Sequence, residues 1–145
     1  MKTTKTQLTV SHPIRVRFNE TDSLGIVWHG NYLSYFEEGR EAFGRQYDLT
    51  YLDIQNKGFA VPIVESTLSH KKPLRYGDVA TIETTFLDCK AAKLMFNYTI
   101  FNASKEVVCT GKTTQVFTRT SNGELALLVP QFLTQWKKKV GLLHG

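Results

Sequence analysis

The chain has 145 residues, 41% apolar and 21% charged, with 18 basic and 13 acidic side chains for a formal net charge of +5. That length suits one domain with its own core. No run of eighteen or more uncharged apolar residues is present, so no membrane span is expected, and the Thr- and Lys-rich residues 1–10 lack the apolar stretch of a secretory signal. The expectation is a single cytoplasmic domain over residues 1–145. The mild positive charge admits nucleic acid, an anionic membrane surface or a phosphate-bearing small molecule as partner, and does not choose among them.

Residues 13–20 alternate, with Ile14, Val16 and Phe18 on one face and Arg15 and Arg17 on the other, which predicts a strand. Thr21 to Gly25 carries turn chemistry, and Ile26, Val27 and Trp28 form a brief apolar run. From Asn31 the period changes. Tyr32, Tyr35, Phe36, Gly39, Phe43 and Tyr47 share one face of a helix of about four turns, with Asn31 as candidate N-cap. A second short helix or an irregular lid is expected over residues 50–57, ended by Gly58.

The remainder reads as strands. Residues 60–70 are extended, 71–78 form a Pro- and Gly-containing connection, and 79–88, 93–102 and 106–118 are strands. Gly111, inside the last of these, suggests a bulge or a close backbone approach. Residues 121–124 form a turn, and Pro130 opens a final helix over 131–139. Its end carries Lys137, Lys138 and Lys139, placed to offset the negative end of the dipole. Both cysteines, Cys89 and Cys109, fall in predicted strands and read as small buried residues. One long helix cannot separate so many strands as parallel crossovers. They must pair mainly as antiparallel neighbours, which makes this an α+β protein.

No HExxH, GxSxG or P-loop is present, and the four histidines have no metal-site spacing. Residues 39–44, "GREAFG", have a superficial likeness to a glycine loop but sit inside the helical pattern. The position that asks for an explanation is Asp22, seven residues before His29 at the mouth of the helix. A helix N-terminus offers unpaired amides and a partial positive charge, able to polarise a carbonyl and stabilise an oxyanion. The amides near His29 and Gly30 are such donors, and Gly30 would let a ligand approach the backbone. A carboxylate on the preceding loop could attack that carbonyl or deprotonate a water. Asp22 could equally cap a turn, and spacing leaves both readings open.

The segment "ETDSLGIVWHGNYLSYFEEGR" resembles the active-site motif of the hotdog-fold acyl-CoA thioesterases, in the 4-hydroxybenzoyl-CoA thioesterase and YbgC-like branch. The likeness rests on Asp22, Gly25, Ile26, Val27, Trp28, His29, Gly30, Asn31 and Tyr32, and extends in order and length along the chain. It implies an antiparallel sheet of five or six strands wrapped around one long helix, and a homodimer, often paired into a homotetramer, with active sites at the dimer interface. It implies Asp22 as catalytic carboxylate and the His29 backbone amide as the carbonyl's donor, with no metal or organic cofactor. It further implies basic residues for the coenzyme A phosphates, with Lys71, Lys72, Arg75, Lys90 and Lys93 as candidates. Trp28, Gly30, Asn31, Tyr32 and Phe59 are candidate substrate contacts, although the aromatic ones could equally be core.

The expected function is hydrolysis of an acyl- or aroyl-CoA to the free acid and coenzyme A. The alternatives are a thioesterase acting on acyl carrier protein and a non-catalytic module that binds acyl-CoA. Nucleic-acid binding has no motif behind it, and no membrane partner is expected.

Overall fold

The computed structural model describes residues 7–142. Residues 1–6, most of the Thr- and Lys-rich start, and residues 143–145, with His144, lie outside them. In chain order the elements are β1 (Gln7–Arg15), α1 (Tyr32–Tyr47), α2 (Tyr51–Asn56), β2 (Phe59–Ala60), β3 (Ile63–His70), β4 (Val79–Leu87), β5 (Lys93–Phe101), β6 (Val107–Val116), β7 (Thr118–Arg119) and α3 (Gln131–Lys139). Two short 3-10 turns, Phe18–Glu20 and His29–Asn31, lie between β1 and α1.

The five long strands form one antiparallel sheet in the order β1-β4-β5-β6-β3, and β2 pairs with β7 in a separate ribbon. Alternation along β4 and β5 puts Ile82 opposite Ile100, Thr84 opposite Tyr98 and Phe86 opposite Phe96, all buried. Against this face lies α1, whose Tyr35, Phe36 and Phe43 are fully buried. Phe36 stacks on Tyr98 with ring centroids 4.2 Å apart and planes 3° from parallel, while Phe43 packs edge-on against Phe96. Each such ring contributes about 1.5–3 kcal/mol by leaving water, and together they hold the helix in the curl of the sheet. This is the expected hotdog arrangement, with five strands in the main sheet.

Two glycines make the close approach feasible. A Cβ on Gly39 would come within 2.2 Å of Thr84 Oγ1, so the helix's bare face is what lets it settle on β4. A Cβ on Gly111 would meet the Phe36 ring at 2.4 Å. The glycine inside β6 therefore marks a close approach, as its position suggested; the register shifts of the sheet fall elsewhere, at Ile63/Glu65 and Ile100/Phe101.

Several local expectations are corrected. The first strand begins earlier and ends at Arg15. Val16 still pairs through its amide with the Asp78 carbonyl, but the chain then turns as the Thr21 amide and hydroxyl both donate to the Phe18 carbonyl. Phe18, expected on the apolar face, is consequently 75% exposed. Cys109 is buried in β6, whereas Cys89 lies in the β4–β5 connection and is half-buried. The three lysines do end α3, and Lys137 among them is in addition buried, reaching Asp88 and the Cys89 carbonyl. The segment after α1 is a helix and not an irregular lid. Thr50 caps it by accepting from the Asp53 amide, and Gly58 follows it in the left-handed region at φ +89°.

Candidate active site

The Asp22 loop is a small hairpin. Thr21 bridges Val27, and the Asp22 amide donates to the Ile26 carbonyl at 2.8 Å. At its tip the Gly25 amide donates to the Asp22 carbonyl at 3.0 Å, and Gly25 sits at φ +78°, where a side chain would be strained. Asp22 Oδ1 accepts the Leu24 amide at 2.8 Å, the side-chain turn that favours Asp at this position. The turn-cap reading of Asp22 thus holds for one oxygen. Oδ2 has no hydrogen-bond partner among the described residues, so one residue can cap the turn and still offer a carboxylate oxygen.

The hairpin is pinned from two sides. The Val27 amide donates to the Leu74 carbonyl at 2.8 Å and Ile26 bridges Arg75, which docks the 71–78 connection beside it. The Trp28 amide donates to the Glu20 carbonyl at 2.9 Å, closing the base of the loop. The chain then enters the 3-10 turn His29–Asn31, which runs directly into α1. Asn31, expected as N-cap, already has helical angles (φ −80°, ψ −12°) and makes no capping bond. Its side-chain amide donates instead to the Glu20 carbonyl at 2.8 Å. Helical structure therefore begins at His29, three residues before Tyr32, where a cap at Asn31 would start it. The Asn31 amide donates to the Trp28 carbonyl at 2.9 Å, whereas those of His29 and Gly30 have no acceptor among the described residues. Such amides are the donors that an N-terminal turn leaves free.

Asp22, Ile26, Val27, His29, Tyr32, His70, Lys71, Lys72 and Pro73 line one cleft of about 300 Å³. The fold thus brings together Asp22, His29, Tyr32 and two of the five candidate lysines and arginines. Arg75 lies on the same connection without lining the cleft, and neither do Lys90, within the β4–β5 connection, and Lys93, which opens β5. Lys72 pairs with Glu106, and that hydrogen bond, helped by Asn102, holds the Glu106 carboxyl below its ordinary range.

The other candidate contacts are placed differently. Gly30 is bare of side chain, but its open face is covered by the Trp28 ring: a Cβ there would lie 2.1 Å from the indole. The bareness accommodates Trp28, which stays half-exposed and is not among the residues lining the cleft. Phe59 does not line the cleft; it packs against Phe117 and Phe132, with the Arg119 guanidinium 5.5 Å over its ring. Tyr32 and Tyr35 are core residues, and burial pushes both phenols up from their usual value.

His70 was not anticipated. It ends β3 and meets the edge of the Tyr32 ring with centroids 4.9 Å apart. No local pattern marks it, because its place depends on β3 running antiparallel to β6 and on the connection docking beside Ile26. Two histidines and a carboxylate line the cleft, yet among the described residues no group of three or more His, Cys, Asp or Glu side chains is placed to hold a metal ion. No helix of the described residues is long and apolar enough to cross a membrane.

Residues 16–136 match the model of the thioesterase-like superfamily. A putative acyl-CoA thioesterase, YneP, of Bacillus subtilis is 40% identical over 94 residues, which are 65% of this chain and 68% of that protein. A putative esterase of Aquifex aeolicus is 32% identical over 119 residues, covering 82% of this chain and 91% of its own. Among solved structures, a DHNA-CoA thioesterase from Staphylococcus aureus superposes with a TM-score of 0.82 at 25% identity, over 91% of this chain and 90% of that one. The matched region contains the Asp22 hairpin, the helix entry and the whole sheet apart from β1, so the chain belongs to the thioesterase-like superfamily.

Proposed function

We propose that this protein hydrolyses the thioester of an acyl- or aroyl-CoA to the free acid and coenzyme A. The observation that carries the reading is one cleft in which Asp22, with an unpartnered carboxylate oxygen, stands with His29, the first residue of the helical turn. The thioester carbonyl oxygen accepts from the His29 amide, which takes up charge as the tetrahedral centre forms. Asp22 attacks the carbonyl carbon or removes a proton from the water that does. The carbon–sulfur bond breaks and the thiolate of coenzyme A leaves, taking up a proton; where Asp22 attacks, water then cleaves the acyl–Asp22 anhydride, which frees the acid and restores the carboxylate. The relatives' names support this substrate class, since they include an acyl-CoA thioesterase and a DHNA-CoA thioesterase.

Lys71 and Lys72 are the proposed phosphate contacts, with Arg75 beside them; both lysines line the cleft, and Lys72 would exchange Glu106 for phosphate. Trp28 and Tyr32 flank the acyl group. The working unit is a homodimer joined along β3, which has a neighbour on one side and whose Ile63 and Val64 are 41% and 59% exposed. A second pairing into a homotetramer and residence in the cytoplasm belong to the same reading.

The test is thiol release from a panel of short, long and aromatic acyl-CoAs, beside matched acyl-carrier-protein thioesters. Faster turnover on the coenzyme A substrates is expected. Preference for the carrier protein would reassign the substrate, and absence of thiol release across both sets would make the protein a binding module. Light scattering reads the oligomer directly.

A further inference from the structure

We propose that Glu20, Asn31 and Tyr35 form a clamp that fixes the Asp22 hairpin against the helix entry. Asn31 and Tyr35 are then positioning residues, and Asn31 is no substrate contact. The inference rests on the thioesterase reading above. Glu20 lies two residues before Asp22, and it gathers four donors. Its carbonyl accepts the Trp28 amide at 2.9 Å and the Asn31 side-chain amide at 2.8 Å. Its carboxylate Oε1 accepts the Tyr35 hydroxyl at 3.0 Å and the Arg17 amide at 2.8 Å. Three of the four come from the helix entry or the first turn of α1, and the fourth closes the turn that leads into the hairpin.

Each partner gives up an ordinary role. Asn31 is a residue type suited to capping α1, yet its side chain makes no capping bond and is spent on Glu20. Tyr35 is fully buried in a core of rings, where a hydroxyl must find a partner and a Phe would need none. Glu20 satisfies that hydroxyl with a side chain from the loop carrying the proposed catalytic carboxylate. The His29 amide is one residue beyond Trp28, and Asp22 two residues beyond Glu20, so the Trp28–Glu20 bond ties the two arms of the site together. A shift of about 1 Å between reacting groups can cost on the order of a hundredfold in rate.

The test compares Tyr35→Phe, Asn31→Ala, Glu20→Met and Glu20→Gln in the full-length protein, by steady-state kinetics on an acyl-CoA substrate and by the amide NMR signals of Asp22 and His29. A Gln at position 20 keeps an oxygen able to accept from both Tyr35 and Arg17. The expectation for Tyr35→Phe, Asn31→Ala and Glu20→Met is a fall in kcat of about tenfold or more with KM within about twofold. The Asp22 and His29 signals should shift in these three, and Glu20→Gln should recover most of what Glu20→Met loses. Unchanged kcat and unchanged signals in Tyr35→Phe and Asn31→Ala would overturn the clamp. So would a rise in KM alone for Asn31→Ala, which marks a substrate contact, or equal losses in Glu20→Gln and Glu20→Met, which mark the carboxylate's charge as the active feature. Should the wild type hydrolyse no thioester, the NMR comparison still decides whether the clamp sets the hairpin's position.

Discussion

Lys137 Nζ lies 2.6 Å from Asp88 Oδ1 and donates a hydrogen bond to the Cys89 carbonyl at 2.9 Å. The Asp88 contact is one of charge, since the hydrogen-bond alignment is toward the carbonyl and Asp88 Oδ1 makes no aligned bond. The lysine side chain is 6% exposed, so α3 is tied to the β4–β5 connection by a cation that has left water. Removing one partner of a buried pair strands the other. Lys137→Ala is expected to lower the unfolding free energy by about 3 kcal/mol, read by urea denaturation. Lys137→Met with Asp88→Asn should recover a large part of it.

The contact between Gly111 and Phe36 gives a packing prediction. A methyl group on Gly111 would press on the Phe36 ring at 2.4 Å and the Thr67 carbonyl at 2.8 Å. Gly111→Ala should destabilise by about 1–3 kcal/mol through overpacking, and adding Phe36→Leu should restore part of the loss by making room. A double-mutant cycle on thermal unfolding measures the coupling.

Much of this architecture is legible in the sequence, for identifiable reasons. The period-3.6 stripe from Tyr32 to Tyr47 and the alternation along β4 and β5 are local records of burial, and each element stands where its pattern puts it. Gly111 announced a bulge or a close approach because a bare residue inside a strand has few other uses, and the Phe36 ring against it decides for the approach. What is not legible depends on partners distant in the chain. Phe18 fits the alternating pattern until Thr21 turns the backbone. Asn31 looks like a cap until Glu20 claims it, and the lysine run shows only its place at the helix end until Asp88 is folded against Lys137. His70 enters the cleft through the pairing of β3 with β6 and the docking of the connection beside Ile26. At the site, the hairpin residues carry a motif, whereas the connection that completes the cleft carries none.

Ionisation of buried groups sets an alkaline limit. Burial pushes the Cys109 thiol up to about 11 from 9.0, with the buried phenols of Tyr32 and Tyr98 raised for the same first reason. A group whose folded value is raised gives stability that is complete below its unfolded value and is lost as pH rises through the folded one. The melting temperature should therefore hold up to about pH 9 and fall between about 9 and 11. Cys109→Ala should make that fall shallower. In the native protein at pH 8, a thiol reagent should modify half-buried Cys89 well before Cys109; simultaneous reaction of both would contradict the burial.

Asp22→Asn tests the central claim most directly. An Asn at this position keeps the oxygen that accepts the Leu24 amide, so the hairpin should fold as before and bind substrate. It loses the carboxylate that attacks or takes the proton. Thiol release from the best acyl-CoA of the panel should fall by about a hundredfold or more, with the melting temperature and the binding of a non-hydrolysable acyl-CoA analogue unchanged. Near-normal turnover by Asp22→Asn, in a folded protein that still binds the analogue, would contradict the account.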